Sequence, residues 1–78
     1  MDQYLENRFR YLKEKSKEEL ESLKLSIIKE LEEYENDLND SSISSQQKSE
    51  LYGDIRYAKE KLTYLEFVLG EKDSSKHI

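Results

Sequence analysis

The chain has 78 residues, with no cysteine, no proline and a single histidine, and its formal net charge is −5. A chain this short forms one domain at most, holds no disulfide or thiolate metal site, and buries little surface alone, which favours self-association. No apolar run approaches the roughly 20 residues that cross a bilayer, and the first 30 residues lack the apolar stretch of a signal peptide. We therefore expect a cytoplasmic protein that does not contact a membrane.

An unbroken apolar stripe predicts a long first helix over residues 3–39. The stripe consists of Leu5, Phe9, Leu12, Ser16, Leu20, Leu23, Ile27, Leu31, Tyr34 and Leu38. From Phe9 onward the spacing follows an eleven-residue repeat of about 3.67 residues per turn, which is close to a straight helix. The alternative is a break at Ser16, because Ser16 and Glu19 have the spacing of a capping box just before Leu20. A short helix over residues 3–14 would then end there, and a second helix would begin.

A polar turn at residues 39–42 separates this segment from a second predicted helix over residues 45–69. Asn, Asp and Ser favour local side-chain hydrogen bonds over helix, and Ser44 with Gln47 three residues later fits a helix N-cap. We expect Gly70 to end the helix and residues 71–78 to form a flexible tail. Helices joined by so short a connection form an antiparallel hairpin, so we predict an all-α hairpin over residues 1–70.

Two apolar surfaces have no partner in such a hairpin. The longer first helix leaves its first apolar residues beyond the end of the second helix. The second helix packs on the first through the stripe from Leu51 to Leu69, yet it also carries an aromatic second face. The interaction surface predicted on this basis comprises Leu5, Phe9, Leu12, Tyr57, Tyr64, Phe67 and Val68. We expect two copies to pair through it as a homodimer that completes a four-helix bundle.

The charges separate a basic N-terminal segment from an acidic middle. Residues 1–17 have a formal net charge of +2, and residues 18–40 have a net charge of −7, concentrated between Glu30 and Asp40. An acidic middle disfavours binding to nucleic acid or to an anionic membrane. Basic and aromatic residues together can bind nucleic acid, but the cations of the N-terminal segment flank its apolar stripe instead of forming one patch.

No residue pattern indicates catalysis, a metal or a cofactor. A two-helix hairpin offers no pocket for an acid–base pair, and a carboxylate di-metal bundle needs more histidines than the one present. A calcium loop starting at Asp37 would place Ser42 where glycine is required and Lys48 where the bidentate acid belongs. We therefore expect no catalytic residue, no metal ligand and no cofactor.

Three functional hypotheses follow from these patterns. The first is a non-enzymatic protein–protein interaction module that self-associates. The second is a small acidic regulator or inhibitor, bacterial or phage-encoded, that binds a host enzyme or transcription factor. The third is an RNA-binding hairpin dimer, because the predicted hairpin is similar in architecture to the Rop-type regulators of plasmid copy number.

Overall fold

The computed structural model describes residues 3–74, and the protein is helical along nearly all of that range. Its elements are α1 (Gln3–Phe9), a 3-10 helix (Arg10–Glu14), α2 (Lys17–Leu38) and α3 (Ser45–Ser74). The all-α class predicted from the sequence is confirmed. Among the helices of these residues, none combines the length and the apolar character needed to cross a membrane.

The chain breaks at Lys15 and Ser16, so the prediction of one helix over residues 3–39 is wrong. Both residues have extended backbone, with φ and ψ of −81° and 149° at Lys15 and of −68° and 161° at Ser16. The alternative is confirmed, because the Glu19 N–H donates to Ser16 Oγ at 3.1 Å and the Ser16 N–H donates to the Glu19 carboxylate at 3.3 Å. The hydrogen bonds with Ser16 hold the pKa of the Glu19 carboxyl below its usual value. This capping box satisfies N–H groups at the start of α2 that would otherwise lack a partner.

The break lets the segment before it fold back along α3. We call residues 3–14, which comprise α1 and the 3-10 helix, the arm. The arm runs parallel to α3, since Arg8 lies 3.8 Å from Glu60 and Lys17, just beyond the arm, lies 2.6 Å from Asp73. A continuous helix would leave the fully buried Phe9 beyond the end of α3, and burial of such a side chain contributes about 1.5–3 kcal/mol. Burial of the arm is therefore the physical reason for the break.

Helix α3 is the central element, with α2 and the arm on two of its faces. The stripe predicted to pack on the first helix contains four buried residues, namely Ile55, Ala58, Leu65 and Leu69. Tyr64 and Val68 lie about 100–140° away around the helix at 100° per residue, and they are buried as well. Both predicted faces of this helix thus contain residues that are buried within one chain.

The core lies at one end of an elongated molecule, where the arm, α2 and α3 come together. Beyond the N-terminal end of the arm, α2 and α3 continue alone as a two-helix hairpin, which ends in the polar turn at residues 39–42. The radius of gyration is 15.0 Å and the longest dimension is 53 Å, whereas a compact domain of this length has a radius of gyration of about 11.5 Å. We call this two-helix end, residues 30–54, the tip, and we call the opposite end the base.

The predicted start of α3 is confirmed. The Gln47 N–H donates to Ser44 Oγ at 3.2 Å, and the Ser44 N–H donates to the Gln47 side-chain oxygen at 2.8 Å. In the preceding turn the Asp40 carboxylate accepts hydrogen bonds from the N–H and the hydroxyl of Ser42, at 2.9 and 2.7 Å, which lower the pKa of Asp40. The polar residues of the turn thus act through local hydrogen bonds, as their types predict.

The predicted end of this helix at Leu69 is wrong, because α3 continues through Gly70 to Ser74. Gly70 does not adopt the left-handed backbone of a helix-ending glycine. The ion pair between Lys17 and Asp73 joins the last turn of α3 to the start of α2. Residues 71–74 of the predicted tail are helical, and residues 75–78 lie outside the described part of the chain.

Gly70→Ala is expected to stabilise the protein. A Cβ added to Gly70 meets no atom within 4 Å, and its φ is negative. Alanine is favoured over glycine inside a helix by about 1 kcal/mol, which corresponds to a rise in Tm of about 4–8 °C for a domain of this size. Thermal unfolding followed by circular dichroism measures this rise, and Gly53→Ala, also inside α3 with open space around it, is the matched control. A fall in Tm for Gly70→Ala that does not also occur for Gly53→Ala would show that the helix ends at Gly70.

Candidate interaction surfaces

Most of the residues predicted to meet a partner lie inside the protein. The buried ones are Phe9, Leu12, Tyr64 and Val68. Leu5 and Phe67 are partly buried and pack against the same core, whereas Tyr57 is 42% exposed. The arm and the aromatic face of α3, each predicted to need a partner, therefore cover each other within one chain.

Aromatic rings make the contact between the arm and α3. The ring centroid of Phe9 lies 5.6 Å from that of Tyr57 and 6.4 Å from that of Tyr64, and the centroid of Tyr64 lies 6.1 Å from that of Phe67. All three pairs are tilted, which is a favourable arrangement for the ring quadrupoles. Phe9 thus fills the space between two aromatic residues that lie about two helical turns apart on α3.

A polar contact closes one edge of this aromatic cluster. The Tyr64 hydroxyl donates to Glu6 Oε2 at 3.0 Å, and Lys13 Nζ lies 2.9 Å from Glu6 Oε1. Burial and then the hydrogen bond to Glu6 raise the pKa of Tyr64, while Lys13 and then Tyr64 lower the pKa of Glu6. Near neutral pH the contact therefore joins a neutral phenol, a carboxylate and an ammonium group. A buried tyrosine needs such a partner for its hydroxyl, and the sequence did not identify Glu6 as that partner.

Arg8 lies over the exposed edge of the same cluster. Its guanidinium carbon is 4.7 Å from the ring centroid of Tyr57 and 5.7 Å from the centroids of Tyr4 and Phe9, and Arg8 also donates a hydrogen bond to the Tyr4 hydroxyl. Such cation–π contacts stabilise by about 0.5–1 kcal/mol at exposed sites. Arg8 thereby helps to hold the arm on α3.

Several cations near the base and along α3 pair with carboxylates of the same chain. Glu60 lies within ion-pair distance of both Arg8, at 3.8 Å, and Arg56, at 3.2 Å. Lys13 pairs with Glu6 and Lys17 with Asp73. These pairs leave less positive charge available for a phosphate backbone than the count of basic residues suggests.

The tip differs from the base because its apolar residues are only partly covered. Those that are half-buried are Leu31, Tyr34, Leu38, Ile43 and Leu51. Of the apolar residues in the tip none reaches full burial, and the first buried residue of α3, Ile55, follows directly after it. Each of the two helices covers the other on one side only. Because no third helix packs over their junction in the tip, these apolar residues remain partly accessible to a partner.

A groove along this seam is lined by carboxylates. It has a volume of about 300 Å³ and is lined by Asp37, Asp40, Ile43, Gln47, Glu50, Leu51 and Asp54. The tip as a whole carries eight carboxylates and one lysine, which gives a formal net charge of −7. Partial burial, together with the nearby carboxylates of Glu30 and Asp54, raises the pKa of Tyr34. Within residues 3–74 no three His, Cys, Asp or Glu side chains are arranged to hold a metal ion.

This groove is not apparent from the sequence pattern. The acidic run between Glu30 and Asp40 lies in the middle of the chain, and the sequence pattern does not relate it to the apolar residues that follow the turn. Two features of the sequence could have indicated the groove. Four carboxylates lie within the turn or on either side of it, and few apolar residues occur between Leu31 and Leu51.

Comparisons of the chain with protein-family models, with curated proteins and with solved structures find no match. A functional proposal therefore rests on the geometry and the charges of the tip.

Proposed function

We propose that the protein is a non-enzymatic protein–protein interaction module that binds a basic, amphipathic segment of a partner protein through the tip. This proposal belongs with the second hypothesis, that of a small acidic regulator. The observation that carries it is the groove of the tip, in which half-buried Ile43 and Leu51 lie among the carboxylates of Asp37, Glu50 and Asp54.

The groove offers two kinds of contact at once. Apolar side chains of a partner would complete the burial of Ile43 and Leu51, and each Å² of apolar surface removed from water contributes about 25 cal/mol. Lysine or arginine side chains beside them would pair with the carboxylates at the rim. Charge complementarity of this kind speeds association and selects among partners more than it adds affinity.

A homodimer in the form of a four-helix bundle is the competing proposal, because a second tip would also cover the half-buried seam. Tip-to-tip pairing, however, brings together two segments that each have a formal net charge of −7. Like charges that face each other across an interface cost several kcal/mol. A basic partner converts the same charges into attraction, and we therefore favour it.

An RNA-binding role of the Rop type has less support. Four of the basic residues, Arg8, Lys13, Lys17 and Arg56, pair with carboxylates, and the tip has a formal net charge of −7. Affinity for nucleic acid depends on cations that neutralise phosphates.

Binding to defined peptides tests the proposed function. The probe is a fluorescent 16-residue peptide of leucine and lysine at helical spacing, and the reference peptide has glutamate in place of every lysine. Fluorescence anisotropy should show binding of the basic peptide only, and salt should weaken it. Asp37→Asn with Asp54→Asn should weaken binding about fivefold, because two exposed charge pairs contribute about 0.5 kcal/mol each.

Glu32→Gln with Glu35→Gln is the matched control, since both residues lie in the tip, are exposed and do not line the groove. This control changes the net charge by the same amount and should retain most of the binding. Equal weakening in both double variants would mean that only the overall charge attracts the peptide. Such a result, like an absence of binding, contradicts a binding site in the groove.

A further inference from the structure

The arm is joined to α2 by a two-residue link and packs chiefly on α3. We propose that the arm exchanges between two copies of the chain. In the exchanged form Lys15 and Ser16 become helical, the arm and α2 form one helix, and each arm packs on α3 of the other copy. This inference goes beyond the proposed function, because it concerns the base of the molecule and not the tip.

The phase of the apolar stripe supports a straight form. When the link is helical, Phe9 and Leu12 of the arm lie in one stripe with Leu20 and Ile27 of α2. The folded-back form does not require this phase, because the extended link reorients the arm. The sequence is therefore compatible with a straight helix as well as with the bent form.

Little in the link opposes a helix. Neither glycine nor proline occurs within residues 1–52, and lysine is a good helix former. The 3-10 helix beside the link has poorer hydrogen-bond geometry than an α-helix. Its conversion to α-helix gains hydrogen bonds that offset part of the loss of the Ser16–Glu19 capping box. A small local change thus separates the bent form from the straight form.

The contacts of the arm with α3 can form equally well with α3 of a second copy. Phe9 contacts Tyr57 and Tyr64, Glu6 accepts from Tyr64, and the guanidinium of Arg8 lies over Tyr57. None of these contacts involves α2. Exchange keeps this core and changes only which chain supplies the arm, which makes it a low-cost route to a dimer.

The direction of the helices also permits exchange. A straightened arm extends past the base, in line with α2, and it must lie parallel to the α3 on which it packs. Two copies placed base to base meet this condition. The two long helices, each formed by the arm and α2 of one copy, then lie side by side across the junction. The acidic tips, each with a formal net charge of −7, then point in opposite directions. They are separated by nearly twice the 53 Å length of one molecule, and salt screens charges over such distances.

Variants of the link test the exchange by sedimentation equilibrium between micromolar and millimolar concentration. Lys17→Pro should remain a monomer throughout, because proline is favoured at the first position of α2 and keeps Ser16 extended, but breaks a helix through the link. Lys17→Ala is the matched control, since it also removes the ion pair with Asp73 but allows a helix. Ser16→Ala removes the cap that each of the two copies would otherwise lose on exchange, and its dimer dissociation constant should fall about thirtyfold relative to the natural chain.

We expect a dimer for the natural chain and for Lys17→Ala at the highest concentrations. A dimer that persists in Lys17→Pro, or a Ser16→Ala variant that remains monomeric at millimolar concentration, overturns the proposal. If Lys17→Pro loses the helical circular dichroism spectrum, Lys15→Gly takes its place, because glycine disfavours helix and permits the extended link. Peptide binding at the tip is measured separately, so a failure of exchange leaves the proposed function intact.

Discussion

Phe9→Ala is expected to lower the free energy of unfolding by about 3–5 kcal/mol. Phe9 is fully buried and contacts the rings of Tyr57 and Tyr64, so the smaller side chain leaves a cavity between the arm and α3. A domain of 78 residues has a total stability of about 4–12 kcal/mol. The substitution therefore removes a large part of the stability, and the arm should detach before the rest unfolds.

Urea unfolding at micromolar concentration, followed by far-ultraviolet circular dichroism, measures this loss. Tyr11→Ala is the matched control, because Tyr11 belongs to the same arm and is 46% exposed. The control should change the free energy of unfolding by less than about 0.5 kcal/mol. If Phe9→Ala instead left the urea midpoint unchanged and abolished a dimer, Phe9 would face a second copy, as predicted from the sequence.

The double variant Tyr64→Ser with Phe67→Glu is expected to unfold most of the protein. Tyr64 is fully buried and Phe67 is partly buried against the same core. Truncation of a buried aromatic residue costs about 3–5 kcal/mol, and the new carboxylate at position 67 adds the cost of partial burial of a charge. The loss of helical signal should be independent of protein concentration.

Tyr52→Ser with Leu25→Glu is the control for this variant, since Tyr52 is 61% and Leu25 is 70% exposed. It makes chemically similar changes and should leave the thermal transition almost unchanged. The sequence-based interpretation predicts the opposite result for Tyr64 and Phe67, with helicity retained and association lost. Circular dichroism and sedimentation on the same samples distinguish the two outcomes.

The helical elements and one helix start could be predicted from local chemistry. Ser44 and Gln47 form the capping box that their spacing predicts, and the polar turn before them is stabilised by Asp40 and Ser42. These features depend on residues two or three positions apart, whose interactions the order of the sequence specifies.

The fold of the arm could not be predicted in the same way. A stripe with an unbroken phase is compatible with a continuous helix and also with two helices joined at Ser16. The choice depends on whether Phe9 and Leu12 find cover on α3, more than 40 residues away along the chain. Periodicity identifies which residues will be buried, but it does not say by which segment. The same reason explains why the sequence pattern predicts a partner for the aromatic face of α3.

Gly70 shows another limit of local patterns. Glycine after an apolar stripe often ends a helix, but here the neighbouring Val68 and Leu69 are buried and Lys17 pairs with Asp73 one turn further on. Tertiary contacts on both sides of the glycine keep the helix continuous. The groove of the tip likewise arises only when the two sides of the turn are brought together in space.

The parallel run of the arm along α3 has a consequence for the order in which the protein folds during synthesis. Phe9 leaves the ribosome well before Tyr57 and Tyr64, its ring partners on α3. Chain synthesis proceeds at about 5–20 residues per second, so the binding site for the arm on α3 emerges several seconds after the arm itself. The hairpin of α2 and α3 can start to form at its turn, where the paired residues are close in the sequence, before the arm packs. The apolar side chains of the nascent arm remain exposed during this interval, when a chaperone or a neighbouring nascent chain can bind them.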